Sequence, residues 1–127
     1  MRQLIACGAL LLVSCGNAES SSNSTSEEKK AVPVYDYGKE LYTQNCTQCH
    51  IVNKDMIGPA LKGALARWDN DTVALRSFVK NSTMAITSGN PRAVEVYNKW
   101  NKAMMTPMPH LTDEDIDAIL DYVERAE

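Results

Sequence analysis

Aromatic side chains are scarce in this chain: one Phe, two Trp and five Tyr among 127 residues. With so few bulky groups, the part that folds cannot build a thick core from its own side chains. A small, loop-rich domain of that kind usually needs a metal or cofactor as a staple. No segment alternates apolar and polar residues over strand length, and no repeat appears, so sheet and solenoid architectures are excluded. No apolar run is long enough to span a bilayer as a helix. Neither sign of charge dominates, the formal net being −3, which leaves no nucleic-acid footprint. Cysteine is limited to four residues with a single C-x-x-C, so a four-thiolate zinc site is also excluded.

What is present begins with "MRQLIACGALLLVSC". Arg2 is a short positive segment, Leu4 to Val13 an apolar one, and the chain then turns polar at once, the pattern of an export leader. An ordinary cleaved signal would account for it. Leu12-Val13-Ser14-Cys15 also resembles a lipobox, and this reading makes residues 1–14 a lipoprotein signal peptide with Cys15 acylated as the mature N-terminus. Two or three acyl chains would anchor the protein stably, on the extracytoplasmic side of a bacterial membrane. Residues 15–34 are rich in Ser, Asn, Glu and Lys with little to bury, and read as a disordered tether. The folded domain is expected over 35–127, where only Cys46 and Cys49 remain.

Four short helices and long loops are expected there. The first runs from Tyr35 into the cysteine pair, with Gly38, Leu41 and Tyr42 at helical spacing. Asn70 or Asp71 suits the N-cap of a second, with Leu75, Phe78 and Val79 as its apolar stripe. Asn90 and Pro91 open a third, with Val94, Tyr97 and Trp100 inward. The last is capped by Thr112, carries Asp113, Glu114 and Asp115 in its first turn, and places Ile116, Ile119, Leu120 and Val123 on one face. Leu111 can staple onto Ile116. The chain is all-α.

"NCTQCHI" carries the chemistry. A redox dithiol would sit where a strand opens into a helix, and no strand is present. A zinc site would have to draw on Cys46, Cys49, His50 and His110 alone. Covalent haem attachment needs what is there: two thiols spaced for the two vinyl groups, and an adjacent histidine, His50, to reach the iron.

With that motif the chain resembles a class I cytochrome c over Tyr35 to Glu127. Gly38 and Tyr42 stand eight and four residues before Cys46, and the resemblance makes them cross the last helix at Ile119 and Tyr122. It also implies one covalent haem c inside the cytochrome c fold. In "IGPALKG" the Pro59 carbonyl would accept the second ring N–H of His50, and Leu61 would pack near the haem face. Arg67 and Trp68 are candidates for the haem environment. The sixth ligand is expected from "NKAMMTPMPHLTDED": Met105 is favoured, leaving "TPMPH" as the loop to the last helix, with Met108 the alternative. Met104 would point elsewhere, and His110 abuts the helix cap.

His/Met ligation leaves iron no open position, so the expected activity is electron transfer and not catalysis. The implied protein is a membrane-tethered carrier of single electrons between respiratory complexes. A quinol-oxidising complex and a terminal oxidase or reductase are its implied partners. A haem-based small-ligand sensor, a weak peroxidase and a fixed haem subunit of a larger redox complex are the competing functions. Nine basic against six acidic residues from Asp36 to His110, Lys54, Lys62, Lys99 and Lys102 among them, would supply a cationic rim.

Overall fold

A computed structural model describes residues 33–127; Cys7, the proposed leader, Cys15 and the tether up to residue 32 lie outside the described residues. Among the described residues there are six helices and no strand. They are α1 (Val34–Asn45), α2 (Ala64–Arg67), α3 (Thr72–Lys80), α4 (Ser82–Thr87), α5 (Pro91–Lys99) and α6 (Asp113–Arg125). The four expected helices correspond to α1, α3, α5 and α6; α2 and α4 are additional. Helix α1 starts at Val34, the last residue assigned to the tether.

Helices α1 and α6 pack directly on one another. A Cβ placed on Gly38 would come within 1.9 Å of the Ala118 carbonyl oxygen, so only glycine permits the backbones to approach this closely. The groove beside it is filled by Tyr42 against Tyr122, ring centroids 5.3 Å apart, and by Tyr35 on the other side of Tyr122 at 5.2 Å. Helix α6 is capped as its sequence demands. Thr112 accepts from the Asp115 amide and Asp115 accepts from the Thr112 amide, a complete capping box, with Leu111 and Ile116 both buried beneath it.

Around this pair lie two apolar clusters. One joins Tyr42, Cys46, Val52, Leu111, Ile116, Ile119 and Val123. The other joins Trp68, Leu75, Phe78 and Ala93, with Trp68 and Phe78 ring centroids 5.0 Å apart. The second is assembled from short helices, three of them opened by a side chain that satisfies a free amide: Asp71 for α3, Asn81 for α4 and Asn90 for α5. Asn81 ends α3 and begins α4 in one residue, which is how two helices fit where one was expected. In α5 the fully buried position is Ala93, while Val94, expected inward, is only half-buried. Small Ala93 lets the helix lie close to the Trp68–Phe78 pair.

Candidate functional site

The last turn of α1 delivers the cysteines. Cys46 is its C-cap, and the amides of Cys49 and His50 both donate to the Cys46 carbonyl, at 3.1 and 2.9 Å. The chain thus reverses within four residues and sets Cys46, Cys49 and His50 on one rim. Burial, and secondly the neighbouring Cys49, push the Cys46 thiol up to about 11. That is the reverse of the lowered pKa a reactive dithiol requires. Among the described residues no group of three or more His, Cys, Asp and Glu could hold a metal ion, so the zinc reading finds no ligand set there.

His50 is held from three directions, two at its ring and one at its backbone. Its Nδ1 lies 2.8 Å from the Pro59 carbonyl oxygen, which can only accept, so the proton is on Nδ1 and the lone pair is on Nε2. Its own carbonyl takes a hydrogen bond from the Tyr42 hydroxyl at 3.0 Å. Gly58 lies against the ring: a Cβ there would be 2.3 Å from Cε1. The Gly58 amide in turn donates to the Cys49 carbonyl at 2.8 Å, tying the Gly-Pro turn to the cysteine turn.

His50 faces a cavity of about 300 Å³, lined mainly by apolar atoms. Every site residue named from the sequence in the folded part lines it: Cys46, Cys49, His50, Pro59, Arg67, Trp68, Met105 and Met108. Met104 lines it too, though nearly half of that residue is exposed. His110 does not; its Nε2 lies 3.0 Å from Asn45 Oδ1 on the surface. Lys62 is tied down as well, its ammonium donating to the Ala126 carbonyl at 2.7 Å, so it does not stand free in a cationic rim. Two residues that sequence reasoning passed over matter here. Ser82, wholly buried, donates to the Met105 carbonyl at 2.5 Å. Arg92 lines the cavity, and its Nε is shut off from solvent with no partner. Neither had a periodicity or spacing to reveal it.

A histidine with a free lone pair, two thiols beside it, an apolar cavity and two arginines, Arg67 and Arg92, in its wall fit a flat apolar group that bears a metal and carboxylates. The profile of the cytochrome c family matches residues 35–127. The chain belongs to the cytochrome c family. It is 28% identical over 97 residues to cytochrome c-551 of Bacillus subtilis (strain 168), covering 72% of this chain and 83% of that one. It is 31% identical over 78 residues to cytochrome c-551 of Allochromatium vinosum, covering 61% and 72%. A solved cytochrome c from Rhodothermus marinus superposes with a TM-score of 0.60 at 27% identity, covering 72% of this chain and 75% of that one. The protein is therefore a class I monohaem cytochrome c with covalently bound haem c, in a family of electron carriers. No helix among the described residues is long and apolar enough to cross a membrane.

Proposed function

We propose that this cytochrome is a membrane-tethered carrier that passes single electrons between respiratory complexes by outer-sphere transfer. Cys46 and Cys49 would hold the haem covalently, and His50 and Met105 would ligate its iron. The observation that carries this reading is the Nδ1–H of His50 donating to Pro59, which leaves the Nε2 lone pair of this cavity-lining residue free to act as a ligand. Such a bond also fixes the ring and raises its basicity. When bound, the haem supplies a one-electron couple with no open coordination position for substrate.

The two clusters separate the methionines. Met108 packs against the cluster that contains Cys46 and Val52, and its amide is held by the Val79 carbonyl at 3.1 Å. Met105 packs against the other cluster, that of Trp68, Leu75 and Phe78, with its carbonyl fixed by Ser82. Met105 thus belongs to a different cluster from the one that holds Cys46, which supports it as the second residue that would ligate the iron. The chain's remaining tasks are to shut water out of the cavity and to keep both ligands in place through each redox cycle.

Cys15 would tether the domain on the extracytoplasmic side, with a quinol-oxidising complex as donor and a terminal oxidase or reductase as acceptor. Support for this is the lipobox-like "LVSC" and the polar segment after it. The decisive experiment replaces each methionine by Ala and follows the sulfur-to-iron charge-transfer band of the oxidised protein. Loss in Met105→Ala with retention in Met108→Ala is expected; the opposite pattern would move the ligand to Met108. Haem that acid–acetone extraction removes from the wild type would end the covalent assignment. An unmodified N-terminus in the mass spectrum of the mature protein would end the tether.

A further inference from the structure

We propose that His110 latches the methionine loop onto the end of α1 through Asn45, and so governs how readily the proposed methionine ligand is displaced. Among the described residues, three hydrogen bonds join the loop between α5 and α6 to other helices. Ser82 of α4 donates to the Met105 carbonyl, and the Met108 amide donates to the Val79 carbonyl of α3. The third joins His110 Nε2 to Asn45 Oδ1 at 3.0 Å, and it alone reaches the helix that delivers the cysteines. Asn45 adjoins Cys46 in sequence and lines the cavity. The loop is thus fastened twice to short helices and once to the cysteine turn.

Both partners are held in the orientation that this bond needs. Asn45 is the last residue of α1, and its Nδ2 donates back to the Leu41 carbonyl at 2.8 Å. A carbonyl only accepts, so the other end of the amide is its oxygen, and His110 Nε2 carries the proton that it donates. His50 has the opposite arrangement: its Nδ1 is bonded to Pro59 and its Nε2 keeps the lone pair. His110 stands at the tip of a turn closed by the Leu111 amide on the Met108 carbonyl at 3.2 Å. Pro109 precedes it and the buried Leu111 follows, so the backbone on both sides of the imidazole is fixed.

A loop that lifts from the cavity on the α1 side has to give up the His110 bond, whereas the Ser82 and Val79 bonds can persist. The bond is open to water, which places it in the lower part of the range for one hydrogen bond, about a threefold change in the open population. The factor is the same for Met105 and Met108, since both lie between α5 and the latch. His110 is therefore a positioning residue, acting on the ligand through Asn45. This assignment rests on the methionine ligation proposed above, so the wild type is first checked for its sulfur-to-iron band. Absence of the band would defeat that reading; hydrogen exchange at the Leu111 amide reads the latch without it.

The oxidised wild type is compared with His110→Phe, His110→Gln, Asn45→Leu and the double variant His110→Phe/Asn45→Leu, by the rate of imidazole binding and by hydrogen exchange. His110→Phe and Asn45→Leu should each speed imidazole binding, and exchange at Leu111, by about threefold. The double variant should be no faster than either single one, because both changes remove the same bond. His110→Gln should behave as the wild type, since its side-chain amide nitrogen can donate where Nε2 did. Wild-type rates in His110→Phe would overturn the proposal. So would effects that multiply in the double variant, or His110→Gln as fast as His110→Phe. Should Asn45→Leu fail to take up haem, the two His110 variants decide the matter between them.

Discussion

The two walls of the haem cavity are held together by different means. The histidine wall rests on α1 crossing α6, helices from opposite ends of the domain, at a contact that only Gly38 allows. The other wall is a chain of short helices, three of them stabilised where they start by Asp71, Asn81 or Asn90. The first wall is non-local and all-or-none; the second is local and modular. A covalently held cofactor belongs on the first. The loop that carries the proposed methionine ligand can rest on the second.

The largest expected effect breaks the first wall. Gly38→Ala should destabilise the holoprotein by about 3 kcal/mol, because the clash is with backbone and no rotamer relieves it. Denaturant titration followed by haem absorbance and by circular dichroism should give one coincident transition, since the wall fails as a unit. Ser82→Ala should come next, at roughly 2 kcal/mol, from leaving the buried Met105 carbonyl unpaired. It should weaken the sulfur-to-iron band while His50 remains ligated. A band as strong as the wild type's would mean that Ser82 merely fills space.

Asn81→Ala and Asn90→Ala should cost about 1 kcal/mol each, the usual value of a lost N-cap, with local loss of amide protection in α4 and α5. If hydrogen exchange showed protection falling throughout the domain, the contrast between the two walls would not hold. Acid gives the smallest effect. Asp113 is held below the ordinary carboxylate value by Lys80, and Asp115 by the Tyr37 hydroxyl and then the Thr112 amide. Both favour the folded state above the unfolded carboxylate pKa. Their contribution is lost as pH falls through the lowered folded values, where the unfolded chain already binds the protons. These two groups should therefore make stability decline on the acid side, and Lys80→Met should remove part of that slope.

What the sequence showed follows the same division. Caps and apolar stripes are local patterns, so α3, α5 and α6 were readable from Asp71, Asn90 and Thr112, and the C-x-x-C-H turn from five adjacent residues. Helix α4 was missed because six residues give too short a window for a period, and because Asn81 both ends α3 and opens α4. The Gly38 crossing and the Pro59 acceptor came from family resemblance, being contacts over distance. Ser82 and Arg92 were invisible for a further reason. A serine becomes a fully buried donor, and an arginine an unpartnered one, only through neighbours that folding brings in.

The α1–α6 crossing also closes the chain into a ring. Arg125 lies 4.7 Å above the Tyr35 ring, so the last turn of the domain sits on the first. A short linker could join residue 127 to residue 34 without disturbing either helix. New ends would suit the turn at Gly89, an exposed residue with φ of 80° and open space about it, between α4 and α5. In such a rearranged chain the methionine loop would be synthesised before the cysteine pair, and the closing of α1 on α6 would become an early contact between neighbours in sequence. The order in which the two walls meet would be reversed, with the finished molecule unchanged.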